Sequence, residues 1–148
     1  MYSMARGYRE SDSKRYFDWL YYGALDLRAA KLLLEDNRCY NLVAFHCQQC
    51  VEKAMKGYLL WRNHKLLDGH NLPWLCKQAM VEDPHFRDYL PLVSEINHYY
   101  IEARYPADFL LSLDSDTAQE LLINTGDMLT FVNQLVKFDF TSYHPKKM

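Results

Sequence analysis

Apolar residues recur at three- and four-residue steps along most of this chain, which is the signature of helices with one buried face. Phe17, Leu20, Ala24, Leu27, Ala30 and Leu34 mark a long first helix from about Ser13, closed by Asp36-Asn37. A second helix follows from Asn41 to Trp61, with Val43, Cys47, Cys50, Val51, Ala54, Tyr58 and Trp61 on its core arc. The short link between them predicts an antiparallel hairpin. Gly69 and Pro73 then mark a loop leading to a short apolar segment, LPWLCKQAM, and Asp83-Pro84 has the form of a helix start that Pro91 divides or kinks. Asp114, Ser115 and Asp116 supply acidic capping before a last helix to about Lys137, with Thr117-x-x-Glu120 as a capping box and Ala118, Leu121, Leu122, Thr125, Met128, Leu129, Val132 and Val136 as its buried stripe. No strand alternation, internal repeat or low-complexity tract interrupts this pattern. The expectation is an all-α, antiparallel up-and-down bundle of four to five helices over residues 13–137. A flexible lead covers residues 1–12 and a fraying tail residues 138–148.

Composition narrows the class. With 148 residues, 49% of them hydrophobic, the chain suits one domain with a sizeable core. A formal net charge of −2 leaves no broad basic footprint for nucleic acid or anionic membrane, so any anion site must be local. No apolar run has membrane-spanning length and no leader pattern opens the chain, which points to the cytoplasm. Cys39, Cys47, Cys50 and Cys76 form no disulfide framework and are read as reduced thiols. Cys47-x-x-Cys50 beside His46 invites a zinc reading, yet no second ligand pair follows, so neither metal nor cofactor is expected.

Opposite its core arc, the second helix stacks His46, Gln49, Lys53 and Lys56, with Glu52 at the edge. An imidazole, an amide, a carboxylate and ammonium groups over a few turns offer donors and acceptors together, as a polar ligand requires. A satisfied seam between packed helices is the plainer reading of the same face. His70, in the following loop, has an imidazole available for acid–base work, although loop histidines are commonly solvated or capping. Arg104, placed at a helix end by Pro106, suits either an anion or an ion pair with Glu102. Trp19, Tyr21 and Tyr22 read as aromatic seals between helices, or else as a stacking platform for bases.

Three blocks resemble the HEPN family of all-helical domains: Ala24-x-Asp26-Leu27-x-x-Ala30 with Leu33-Leu34, the second-helix run from Ala44 to Lys56, and Ala103-Arg104-Tyr105-Pro106-Ala107-Asp108. His70-Asn71-Leu72 is similar to that family's His-Asp-Leu, with Asn in place of the acid. The resemblance, from about Trp19 to Val136, implies a homodimeric bundle whose polar cleft binds nucleotides or polyanions, and a nucleotidyltransferase partner in toxin–antitoxin-like systems. Many members are metal-independent ribonucleases built on an Arg followed, four to six residues on, by His. No histidine here has that spacing; between Arg38 and His46 stand seven residues. The leading expectation is therefore a binding and regulatory module for a nucleotide, RNA end or nucleotidyltransferase. Its ligand site comprises His46, Gln48, Gln49, Glu52, Lys53, Arg104 and Tyr105. The alternative is a divergent ribonuclease, with His46 or His70 as acid–base and Arg104 stabilising charge. In a third reading the polar stripe serves dimerisation alone.

Overall fold

Two long helices lie side by side and the remaining elements close over them. The computed structural model describes residues 11–99 and 113–143. Among these, α1 spans Tyr16–Leu34, α2 Tyr40–Asn63, α3 Leu72–Glu82, α4 Leu90–Ile96 and α5 Ser115–Val136; short 3-10 helices cover Pro84–Tyr89 and Phe140–Ser142. No strand occurs among the described residues, and the all-α bundle expected from the periodicity is the observed architecture.

The α1–α2 hairpin is antiparallel and close. Gly57 of α2 meets Leu20 and the Tyr16 carbonyl near the start of α1, while Gly23 faces Cys50, Lys53 and Ala54. The predicted core arc of α2 is buried from Val43 through Tyr58, with Trp61 partly exposed at its end. The buried stripe of α5, from Ala118 through Thr125, Met128 and Val132 to Val136, packs on the same core. Tyr58, Phe86, Phe131 and Tyr89 form an aromatic chain with successive centroids 4.7, 5.0 and 5.1 Å apart, joining α2, the first 3-10 helix and α5.

Local expectations are met in part. The helix foreseen after Asp83-Pro84 is a 3-10 helix capped by Asp83, whose side chain accepts from the His85 amide. Pro91 marks the division expected of it, the 3-10 helix ending at Tyr89 and α4 beginning at Leu90. It lies in the first turn of α4, where its missing N–H costs no intrahelical bond. The acidic run before the last helix caps it as expected, Asp114 accepting from the Thr117 amide at 2.8 Å, but Thr117 lies inside the helix and forms no capping box. The helix ends at Lys137 in the left-handed region, φ 59°.

Residues of the 138–143 segment pack against α1. Phe140 stacks on Tyr21 at 5.2 Å, Tyr143 packs on Tyr21 and Phe17, and the Tyr143 hydroxyl donates to the Asp18 carboxylate. Aromatic rings close to the end of α5 find a partner surface on the first turns of α1, where they are partly buried.

The two glycines of the hairpin should respond oppositely to alanine. A Cβ at Gly57 would stand 2.8 Å from Leu20 Cδ2 and 3.2 Å from the Tyr16 carbonyl, whereas at Gly23 its nearest neighbour is at 3.5 Å. Leu20 is wholly buried and cannot swing aside. Chemical denaturation should find Gly57→Ala destabilised by about 1–3 kcal/mol, and Gly23→Ala neutral or more stable by up to about 1 kcal/mol.

Candidate functional site

Asp26 of α1 sits where the hairpin brings it against the polar face of α2. Its Oδ1 lies 2.9 Å from His46 Nδ1, and its Oδ2 accepts from Lys53 Nζ at 2.6 Å. His46 and Lys53 are two turns apart on one face, so one carboxylate spans both. Because a carboxylate can only accept, His46 donates from Nδ1 to Asp26, which fixes the ring's orientation and leaves Nε2 as the nitrogen not bonded to Asp26.

From Lys53 a chain of hydrogen bonds runs inward, each donor pointing the same way. Lys53 Nζ donates to Gln49 Oε1 at 3.3 Å, Gln49 Nε2 to Gln48 Oε1 at 2.7 Å, and Gln48 Nε2 to Glu52 Oε1 at 3.1 Å. Aligned amides polarise one another, so each bond strengthens the next. The chain ends at a buried carboxylate: Glu52 also accepts from Lys56 Nζ at 3.1 Å and from His70 Nδ1 at 2.8 Å. His70 returns to α2 because the chain turns sharply at His64 (φ 58°) and Gly69 (φ 93°), after which Asn71 caps α3 by accepting from the Trp74 amide. Asn97 holds that junction by accepting from the Leu72 amide at 3.2 Å.

The electrostatics follow from this geometry. Burial alone would raise the Glu52 carboxyl, but the His70 hydrogen bond and the Lys56 ammonium more than offset it, leaving Glu52 below its ordinary value. Cys47 and Cys50 are buried, and desolvation, only partly offset by Thr125 at Cys47 and by the Lys53 charge at Cys50, pushes Cys47 up to about 12 and Cys50 well above its usual range. Their thiolates are disfavoured, and they pack as small core residues. Among the described residues no group of three or more His, Cys, Asp or Glu side chains is placed to hold a metal ion.

The structure therefore gathers His46, Gln48, Gln49, Glu52, Lys53 and His70 into one network, but at different depths. The side chains of His46 and Lys53 are 28% and 24% exposed and can be reached from solvent. Those of Glu52 and Lys56 are each 6% exposed, and Gln48 is wholly buried, so these groups act on a ligand only through their neighbours. Arg104 and Tyr105, with Glu102, lie outside the described residues. Asp26 is the member that periodicity did not single out as a site residue. Its signal is an acid in the middle of an apolar helix, at a distance before the turn that falls between those of His46 and Lys53 after it.

The HEPN domain model matches residues 16–135. Over 126 residues the chain is 25% identical to a Methanocaldococcus jannaschii protein named "Putative toxin MJ1304", covering 76% of this chain and 82% of that protein. The crystal structure of TT1696 from Thermus thermophilus superposes with a TM-score of 0.69 at 27% identity, covering 82% of this chain and 98% of that one. ST0689, an archaeal HEPN homologue, shares the fold with a TM-score of 0.63 at 24% identity, over 84% of this chain and 99% of its own. No helix of the described residues is long and apolar enough to cross a membrane.

The buried end of the network should set the acid limb of stability. Because the Glu52 carboxyl is lowered in the folded state, its contribution is complete above the unfolded value near 4.5 and is lost as pH falls through the lower folded value. Thermal unfolding between pH 3 and 7 should show a shallower acid limb in Glu52→Gln. At neutral pH, Lys56→Met should cost about 3 kcal/mol or more, since it takes one cation from a buried carboxylate.

Proposed function

This chain belongs to the HEPN family, and from that premise we propose that it is a binding and regulatory module. It takes a nucleotide or another polyanion and works as a homodimer beside a nucleotidyltransferase in a toxin–antitoxin-like pair. The observation that carries the reading is the depth gradient of the polar network. His46 and Lys53 reach solvent, Asp26 and Gln49, which hold them, are partly buried, and Gln48 and Glu52 behind Gln49 are buried and hydrogen-bonded. Lys53 has three N–H donors, two of which go to Asp26 and Gln49, leaving the third for a phosphate oxygen. Donors locked by their neighbours lose little entropy on binding, which favours recognition. The toxin name of the M. jannaschii relative is consistent with the paired-system part of the proposal.

One observation favours a second reading. An Asp–His pair that orients the imidazole is the arrangement a general base uses, so Asp26–His46 could deprotonate a ribose 2′-hydroxyl even without the family's Arg–His spacing.

Calorimetric titration of the full chain with nucleoside monophosphates and a short RNA separates the two. The binding module predicts saturable binding, intact RNA, and an affinity about tenfold or more weaker in Lys53→Gln. An unchanged affinity in that variant would sink the proposed site. RNA cut in the absence of divalent metal, with cutting abolished by His46→Gln, would establish the ribonuclease instead.

A further inference from the structure

Beside Lys53, between the first turns of α1 and the middle of α2, lies a cavity of about 310 Å³ whose walls include Ser13, Asp18, Trp19, Tyr22 and Lys53. Its size falls at the lower end of small-ligand sites, large enough for one heterocycle and little more. The walls are fixed in advance. Trp19 Nε1 donates to the Ser13 carbonyl at 2.9 Å, the Ser13 hydroxyl donates to Asp18 at 2.6 Å, and Arg15 reaches the same carboxylate at 3.2 Å. The Tyr143 hydroxyl also lands on Asp18, so the docked C-terminal segment braces the cavity from behind.

The charges decide what fits. Lys53, the one cation lining this cavity among the described residues, is shared with Asp26; Asp18 pairs with Arg15 and Asp12 adds a further carboxylate, so beyond the single N–H that Lys53 keeps for a phosphate at its rim the cavity has no positive charge to hold an anion. What it does offer is aromatic surface from Trp19 and Tyr22, with an ammonium donor and carboxylate and hydroxyl acceptors at the edges. That set is complementary to a neutral planar ring carrying both donors and acceptors. We propose that this cavity is the base subsite of the nucleotide site, stacking a nucleobase on Trp19 and Tyr22, with Lys53 at the boundary between base and phosphate. The inference rests on the nucleotide-binding reading above and names the part of the ligand that reading leaves open.

The test titrates the full chain calorimetrically with adenosine, ribose 5-phosphate and AMP, using Tyr22 as the probe because it is 52% exposed and its replacement leaves the core intact. Adenosine should bind, and Tyr22→Ser should weaken adenosine and AMP about tenfold while Tyr22→Phe stays within about twofold. Ribose 5-phosphate should be indifferent to both substitutions. Adenosine that does not bind while ribose 5-phosphate does, or that binds equally well to Tyr22→Ser, overturns the base subsite and leaves the phosphate reading standing. Tyr22-dependent adenosine binding with no affinity for ribose 5-phosphate upholds the subsite and removes the polyanion reading. Absence of binding by all three overturns both.

Discussion

The Asp26 carboxylate is the point on which the arrangement of this molecule turns. It is the one group of α1 that engages both His46 and Lys53 of α2, and its distances of 2.9 and 2.6 Å require the two helices to run close and in a fixed register. Glycine provides the closeness: at Gly57 the Leu20 side chain and the Tyr16 carbonyl occupy space that a Cβ would need. A one-residue slip along α2 would rotate His46 and Lys53 away from Asp26 by about 100°, so packing and polar pairing enforce the same register.

The same pairing couples the surface to the core. Lys53 connects through Gln49 and Gln48 to Glu52, a buried carboxylate that survives because Lys56 and His70 both reach it. Burying an unpaired carboxylate is costly, and burying a well-bonded one confers little net stability against an apolar alternative. The ladder therefore makes more physical sense as a device for holding exposed donors in one geometry than as a source of stability. It also ties the loop after α2 to the site, since His70 closes on Glu52 just before Asn71 caps α3.

The first turns of α1 serve a related purpose at the other side of Lys53. Asp18 collects Ser13, Arg15 and Tyr143, drawing the segment before α1 and the segment after α5 onto one carboxylate. Burial together with the Asp18 charge pushes the Tyr143 hydroxyl up to about 12, so it stays a donor across the ordinary pH range. Trp19 and Tyr22 stand beside this knot, and Lys56 approaches the Trp19 ring to 5.8 Å, linking the aromatic wall to the buried end of the ladder. In HEPN terms, the polar face of the second helix is one wall of a larger constellation that α1 completes.

Period alone determined a good deal. Apolar spacing set the helical class, the hairpin of α1 and α2, the core arc from Val43 to Tyr58 and the buried stripe of α5, because a 3.6-residue repeat has only one face to bury. The same spacing placed His46, Gln49 and Lys53 on a common face, since that too is a property of one helix. Depth and pairing were not legible, because they depend on which helix packs opposite. Tertiary contact buried Gln48, Glu52 and Lys56, gave His46 and Lys53 a shared partner twenty and twenty-seven residues away, and brought His70 back across eighteen. It also decided the tail, where rings that look unsupported in sequence find α1 more than a hundred residues away in the chain. Periodicity encodes which side of a helix turns inward; only packing decides what that side, or its opposite, will meet.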